Sequence, residues 1–242
     1  MGLKQALTAV ADLALPRVCV VCGAVLLPSE SHICTCCLAD MPMTFYESMP
    51  RNPMADRLNS RMPGAEPYAF AAALYHYDQY DGYRLISQAL KYRRDFRAGK
   101  FFAGMLGERL AGSELYADVD AVVPVPLHWT RFLERGYNQS AVIAAEVAAA
   151  LPSAPPVLRL LRRCRRTQTQ TRLDVASKET NVRGAFGPGE SAVRSAGGLH
   201  HILLVDDVFT TGATASACHA ALREAYGPSV RISVATLGFV GR

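Results

Sequence analysis

Apolar runs alternate along this chain with segments of helical period. "AFAAALYHY" (69–77), "VDAVVPVP" (119–126), "PVLRLL" (156–161), "HHILLVDD" (200–207) and "VRISVATLGFV" (230–240) read as strands. The prolines of the second run stop ladder pairing at its end. Between the strands lie helical patterns. Leu85, Ile86, Ala89 and Leu90 share a face, as do Phe101, Phe102, Met105, Leu106 and Leu110. Ile143, Val147 and Leu151 recur every fourth residue behind Asn138, a side chain suited to cap that helix. "GATASACHAALREAY" (212–226) predicts one more helix. Strands alternating with helices predict an α/β fold with a mostly parallel sheet flanked by helices.

Three stretches break the pattern. Residues 1–40 form a small cysteine-rich unit, 41–66 an irregular proline-bearing connector, and 67–242 the α/β domain. "KYRRDFRAGK" (91–100) reads as a basic bend. From Arg162 to Gly184 there is almost no apolar pattern, and a connection of that length inside a compact domain is functional or disordered.

Candidate chemistry centres on "LLVDDVFTTGAT" (203–214). In an open parallel sheet, ligands sit beyond the carboxyl ends of strands. Asp206 and Asp207 are expected there, followed by Thr210, Thr211, Gly212, Ala213 and Thr214 at the entry of a helix. Backbone N–H groups and the helix dipole favour an anion at such a turn. Carboxylates accept hydrogen bonds from sugar hydroxyls. A ribose 5-phosphate satisfies both demands. A P-loop is excluded, because no Gly-Lys-Ser/Thr occurs.

A diphosphate at C1 of that ribose would need further cations. Arg131 and Arg135 are four apart and share a face if helical. They are either phosphate contacts or a solvated pair. Arg162, Arg163, Arg165, Arg166 and Arg172 precede the next acid, Asp174. Two readings of that stretch stand, a cover folding over a polyphosphate or a solvated loop. Tyr75, Tyr77, Tyr80 and Trp129 offer stacking surfaces for a base, although aromatic residues near a core are commoner than stacking platforms.

Seven cysteines change the picture of the N-terminus. "CVVC" (19–22) and "CTCC" (34–37) are paired knuckles whose Cys19, Cys22, Cys34 and Cys37 suit a tetrahedral structural zinc. A redox dithiol needs only one such knuckle. Cys36 is an alternative ligand, and His32 a weaker one. Clustered thiols point to a reducing, cytoplasmic compartment. The first residues are apolar, but Asp12 interrupts them, so an amphipathic helix is expected there rather than a signal peptide. No apolar run is long enough to insert in a membrane. The net charge of +5 suits a polyanionic ligand or nucleic acid without selecting one.

The 203–214 stretch resembles the phosphoribosyl pyrophosphate (PRPP) motif of type I phosphoribosyltransferases. "LKYRRDFRAGK", "VPVPLHWTRFLERGYNQS", "RTQTQTRL", "NVRGAF" and "LLVDDVFTTGAT", in this order behind the cysteine cluster, are together similar to the ComF family, also called ComFC or GntX-like. The resemblance implies a phosphoribosyltransferase-like domain behind a zinc-ribbon-like module, and a link to natural competence, uptake of transforming DNA or use of DNA as a nutrient. The leading expectation is a PRPP-binding transferase of unknown acceptor, using Mg²⁺ with PRPP. Asp206 and Asp207 would hold the ribose, the 210–214 turn the 5-phosphate, and Arg131 and Arg135 the departing pyrophosphate. The alternative is a competence factor that binds single-stranded DNA, or other competence proteins, around a sensing or vestigial PRPP pocket.

Overall fold

The computed structural model describes residues 16–62, 67–78, 81–93, 95–164, 184–189 and 198–241, without the side chains of 92 and 93. Four strands, β1 (Ala71–His76), β2 (Ala121–Pro124), β5 (His201–Phe209) and β6 (Arg231–Phe239), form a parallel sheet in the order β1-β6-β5-β2. Register is set by pairs such as Val123 with Leu204 and Val205 with Ala235. All four strands are almost wholly buried, which fits their continuous apolar runs. The free edge of β1 is covered by the antiparallel segment around Met43, with Thr44 N–H donating to Leu74 and His76 N–H to Pro42.

Helices cover both faces, as the alternation predicts. On one lie α3 (Arg84–Gln88), α4 (Phe96–Ala111) and α6 (Gln139–Ala150), whose Ile86, Phe102, Leu106, Ile143 and Val147 pack with Leu203 and Val205. On the other lie α2 (Pro53–Ser60) and α7 (Ala213–Tyr226), whose Met54, Leu58, Cys218 and Leu222 pack with Ile202 and Leu204. Since α6 and α7 cover opposite faces, the chain leaves the carboxyl ends of β2 and β5 toward opposite sides of the sheet, the point at which a doubly wound sheet opens a crevice.

Three local expectations change. The connector contains α2, because Asn52 caps it through the Ala55 N–H and Pro53 pre-sets its first turn. The basic bend is a π-helical turn (Ala89–Arg93) leading into α4, whose N-cap is Asp95. The "PVLRLL" run meets the sheet only at the Val157–Val122 bridge. It then feeds β3 (Leu161–Arg163), which pairs antiparallel with β4 (Phe186–Pro188) in a separate ribbon over α7.

The cysteine-rich unit is joined to the rest. Cys19, Leu26 and Ile33 share one buried cluster with Leu90, Ala98 and Phe102. Its one short helix, α1 (Thr35–Ala39), is capped by Cys34. Among the described residues, no helix is long and apolar enough to cross a membrane.

Candidate functional site

At the carboxyl end of β2, Pro124 pairs with Val205 and Val125 N–H donates to the Val205 carbonyl. Beyond that point β5 continues along β6 alone, so Asp206 onward borders open space on the β2 side. A cleft with about 320 Å³ of empty space, open to solvent, lies here, and its lining includes Asp206, Thr210, Gly212, Thr214 and Thr236. Gly212 has φ of 80°, and a Cβ there would stand 2.7 Å from Phe209 Cζ, so the turn needs glycine twice over. Thr211 Oγ1 accepts from the Ala213 N–H at 3.4 Å. Thr211 and Ala213 do not line the cleft.

The adjacent carboxylates have different surroundings, because strand alternation sends neighbours to opposite faces. Asp206 lines the cleft with Leu204 and Val208, of the same parity. Its Oδ1 accepts from Ser140 Oγ and from the Asp207 N–H, each at 2.9 Å. Burial, and then the neighbouring Asp207 charge, push the Asp206 carboxyl up to about 7. Asp207 is buried and forms an ion pair with Lys91. Burial works against the Lys91 charge, but attraction from Asp207 and Asp206 outweighs it and raises its pKa. Lys91 stands on the π-helical turn, a distortion often found at functional sites. Sequence reasoning grouped Lys91 with a bend and missed Ser140. The strand alternation was the available signal that the two acids would part.

Arg131 and Arg135 do share a helix, α5 (Trp129–Arg135), at the mouth of β2. Arg135 donates to Gln139 Oε1 at 3.0 Å. Arg131 approaches Arg163 of β3. Burial and the nearby Arg131 charge lower the Arg163 pKa, while Asp206 favours its charge. The Arg163 guanidinium lies 5.2 Å from the Phe186 ring centre. Arg163 therefore feels the charges of both Arg131 and Asp206, while Arg135 reaches the start of α6. Arg165, Arg166 and Arg172 lie outside the described residues.

The "RGYNQS" stretch joins these pieces. Gly136, at φ 80°, ends α5. Tyr137 Oη donates to the Leu90 carbonyl in the π turn. Asn138 caps α6 through the Ser140 N–H at 3.1 Å and donates to the Val125 carbonyl at 3.0 Å. Ser140 then reaches Asp206.

At the other end of the chain, the sulfurs of Cys19, Cys22, Cys34 and Cys37 lie within 4.8 Å of one another. A tetrahedral zinc bonded at roughly 2.3 Å sets sulfurs about 3.8 Å apart. Cys22 and Cys34 stand at 3.8 Å. Backbone N–H groups of Cys34 and Cys37 point at the Cys19 and Cys34 sulfurs, each at 3.4 Å. For Cys19, burial favours the thiol, but the backbone N–H groups around it prevail and lower its pKa to about 7. The donor set is compatible with structural zinc. Cys36 is exposed and outside the cluster, and the His32 ring lies 5.6 Å from Phe101.

The fold and cleft define an α/β protein with an acidic strand end and a hydroxyl-rich turn at the edge of a parallel sheet, fused to a four-cysteine cluster. Over part of its length the chain is similar to proteins named for competence and for DNA utilization. It is 31% identical over 105 residues to competence protein F of Haemophilus influenzae, covering 43% of this chain and 44% of that protein. It is 36% identical over 110 residues to DNA utilization protein YhgH of Salmonella typhimurium, covering 46% and 44%. Against YhgH of Salmonella typhi it is 38% identical over 95 residues, 39% of each chain. The matched regions span less than half the length of these relatives. No protein-family model matches the chain.

Proposed function

We propose that the chain binds PRPP and transfers its phosphoribosyl group, in the cytoplasm, in the service of competence or DNA use. The carrying observation is one cleft lined by Asp206, Thr210, Gly212 and Thr214 at the carboxyl end of β5. Phosphate is held by the turn, where backbone N–H groups and the α7 dipole converge, and the Thr210 and Thr214 hydroxyls add donors. Asp206 accepts from a ribose hydroxyl. Asp207, ion-paired with Lys91 on the opposite face of β5, fixes the strand end that presents Asp206. In the reaction the C1–diphosphate bond breaks, a bond from the acceptor forms, and diphosphate departs toward Arg131 and Arg163 as the acceptor sheds a proton.

Among the described residues, the cysteine cluster is the only grouping of three or more potential metal ligands. Asp206, the carboxylate that lines the cleft, would help hold a Mg²⁺ bound with PRPP. When bound it neutralises the diphosphate. The cysteine cluster is assigned to one structural zinc ion.

The competence and DNA-utilization names of the relatives support the biological setting. A second reading, a factor that binds single-stranded DNA, draws on α5. Trp129, Phe132 and Leu133 are 65%, 48% and 72% exposed on one face, beside Arg131 and Arg135. Bases stack on such aromatic platforms.

The test is calorimetry with PRPP and Mg²⁺, then pyrophosphate release with a panel of nucleobases. Asp206→Asn should weaken PRPP by about tenfold, since a carboxyl oxygen that accepts from the ribose is replaced by an amide. Native protein that binds single-stranded DNA but not PRPP decides for the second reading.

A further inference from the structure

We propose that Arg57, on α2, is the positioning residue of the Thr210–Gly212 turn, orienting it for the 5-phosphate of a phosphorylated ribose; this deepens the PRPP reading and rests on it. Arg57 Nη1 donates to the Thr210 carbonyl at 2.8 Å and to the Val240 carbonyl at 2.7 Å. Its guanidinium lies 4.9 Å from the centre of the Phe239 ring. A trans peptide places its C=O and the following N–H on opposite sides of one plane. Tying the Thr210 carbonyl toward α2 therefore fixes the Thr211 N–H in the opposite direction, away from α2.

The other end of the turn is held from below. Phe239 supports Phe209, with ring centres 6.0 Å apart, and Phe209 lies under Gly212. Arg57 fixes one peptide plane of the turn, and Phe209 fixes the height of the next residue. For Arg57 to do this, α2 must itself be fixed. Asn52 donates to the Ala71 carbonyl at 2.9 Å, and Asn59 exchanges hydrogen bonds with both backbone groups of Ala69. Two asparagines thus bolt α2 to the entry and first residue of β1. The guanidinium also sets a positive charge beside the positive end of the α7 dipole. An anion in the turn relieves both.

The experiment uses the full chain with three probes: inorganic phosphate, ribose 5-phosphate, and PRPP with Mg²⁺. Arg57→Met removes the donors and keeps the length, and Arg57→Lys restores charge and donors. Calorimetry should show ribose 5-phosphate binding about tenfold weaker in Arg57→Met and largely recovered in Arg57→Lys, as for a lost hydrogen bond to a charged group. In the absence of ligand, amide hydrogen exchange at Thr211 and Gly212 should quicken in Arg57→Met and return near native in Arg57→Lys. Should Arg57→Met not fold, Arg57→Gln, with a neutral donor, takes its place and should give a smaller change of the same sign. Changed exchange at Val240 with unchanged exchange at Thr211 means that Arg57 only ties down the C-terminal segment, and overturns the proposal. Native protein that binds none of the probes, while Thr211 exchange still responds to Arg57, leaves the positioning role standing and removes the PRPP reading.

Discussion

His219, on α7, is 2% exposed, and its Nε2 has no hydrogen-bond partner. Burial, and then the nearby Arg223 charge, push its pKa down to about 4. The unfolded chain, with an ordinary histidine, takes up the proton first. The His219 contribution is therefore complete above about pH 6.5 and falls as the pH drops toward 4, against an opposite slope from the raised Asp206 carboxyl. His219→Leu should flatten that limb, by up to about 3 kcal/mol between pH 7 and 4. His201, also lowered by burial, keeps part of the slope. Urea midpoints across that range test this, and parallel profiles for the two proteins would refute it. The carboxylates of β5 call for a different substitution. Asp207→Asn strips Lys91 of its partner and should cost about 3 kcal/mol of stability. Asp206→Asn leaves Lys91 paired with Asp207 and should leave the melting temperature near native. Residue types at the site were legible in the sequence, but their partners were not. Ser140 and Lys91 come from segments distant in sequence, and local periodicity says nothing of which side chain a strand end will meet.

Among the elements, the ones most legible were those whose apolar pattern faces a single core. The strands from β1 to β6 that make the parallel sheet, with α4, α6 and α7, lie close to where the apolar runs place them. The π turn was not legible, because its extra residue leaves the apolar spacing of Leu85, Ile86, Ala89 and Leu90 looking like one helix. Nor was α2, a helix of eight residues whose position depends on two asparagines bonding to β1 and its entry. The turn after β5 is the element where local sequence and geometry agree best. Gly212→Ala there meets a left-handed φ and the Phe209 ring together. It should cost about 1–3 kcal/mol and abolish measurable ribose 5-phosphate binding. An alanine variant with native affinity would show that the turn tolerates rearrangement and does not cradle the phosphate.

At the scale of the molecule, the cysteine cluster and the cleft are linked through a short path. Tyr83 Oη donates to the Cys37 carbonyl at 2.7 Å. Gly82 packs so closely on Val21 that a Cβ there would stand 2.8 Å from the Val21 carbonyl oxygen. Tyr83 is the N-cap of α3, which runs directly into the π turn bearing Lys91, and Lys91 holds Asp207. None of this was legible in the sequence, where residues 1–40 read as a separate unit, because non-local packing leaves no periodic trace. If zinc closes the four-thiolate cluster, binding it is folding free energy for the whole path. Chelation, or Cys34→Ser, should then quicken amide exchange in residues 19–40 and also in 82–93, with PRPP affinity falling in parallel. Tyr83→Phe keeps all four thiols, so it should retain one zinc per chain while giving a smaller rise in exchange at 82–93. Exchange that changes only within 19–40 on metal removal would show that the cluster folds for itself, and that Lys91 is held by Tyr137 and Asp207 alone.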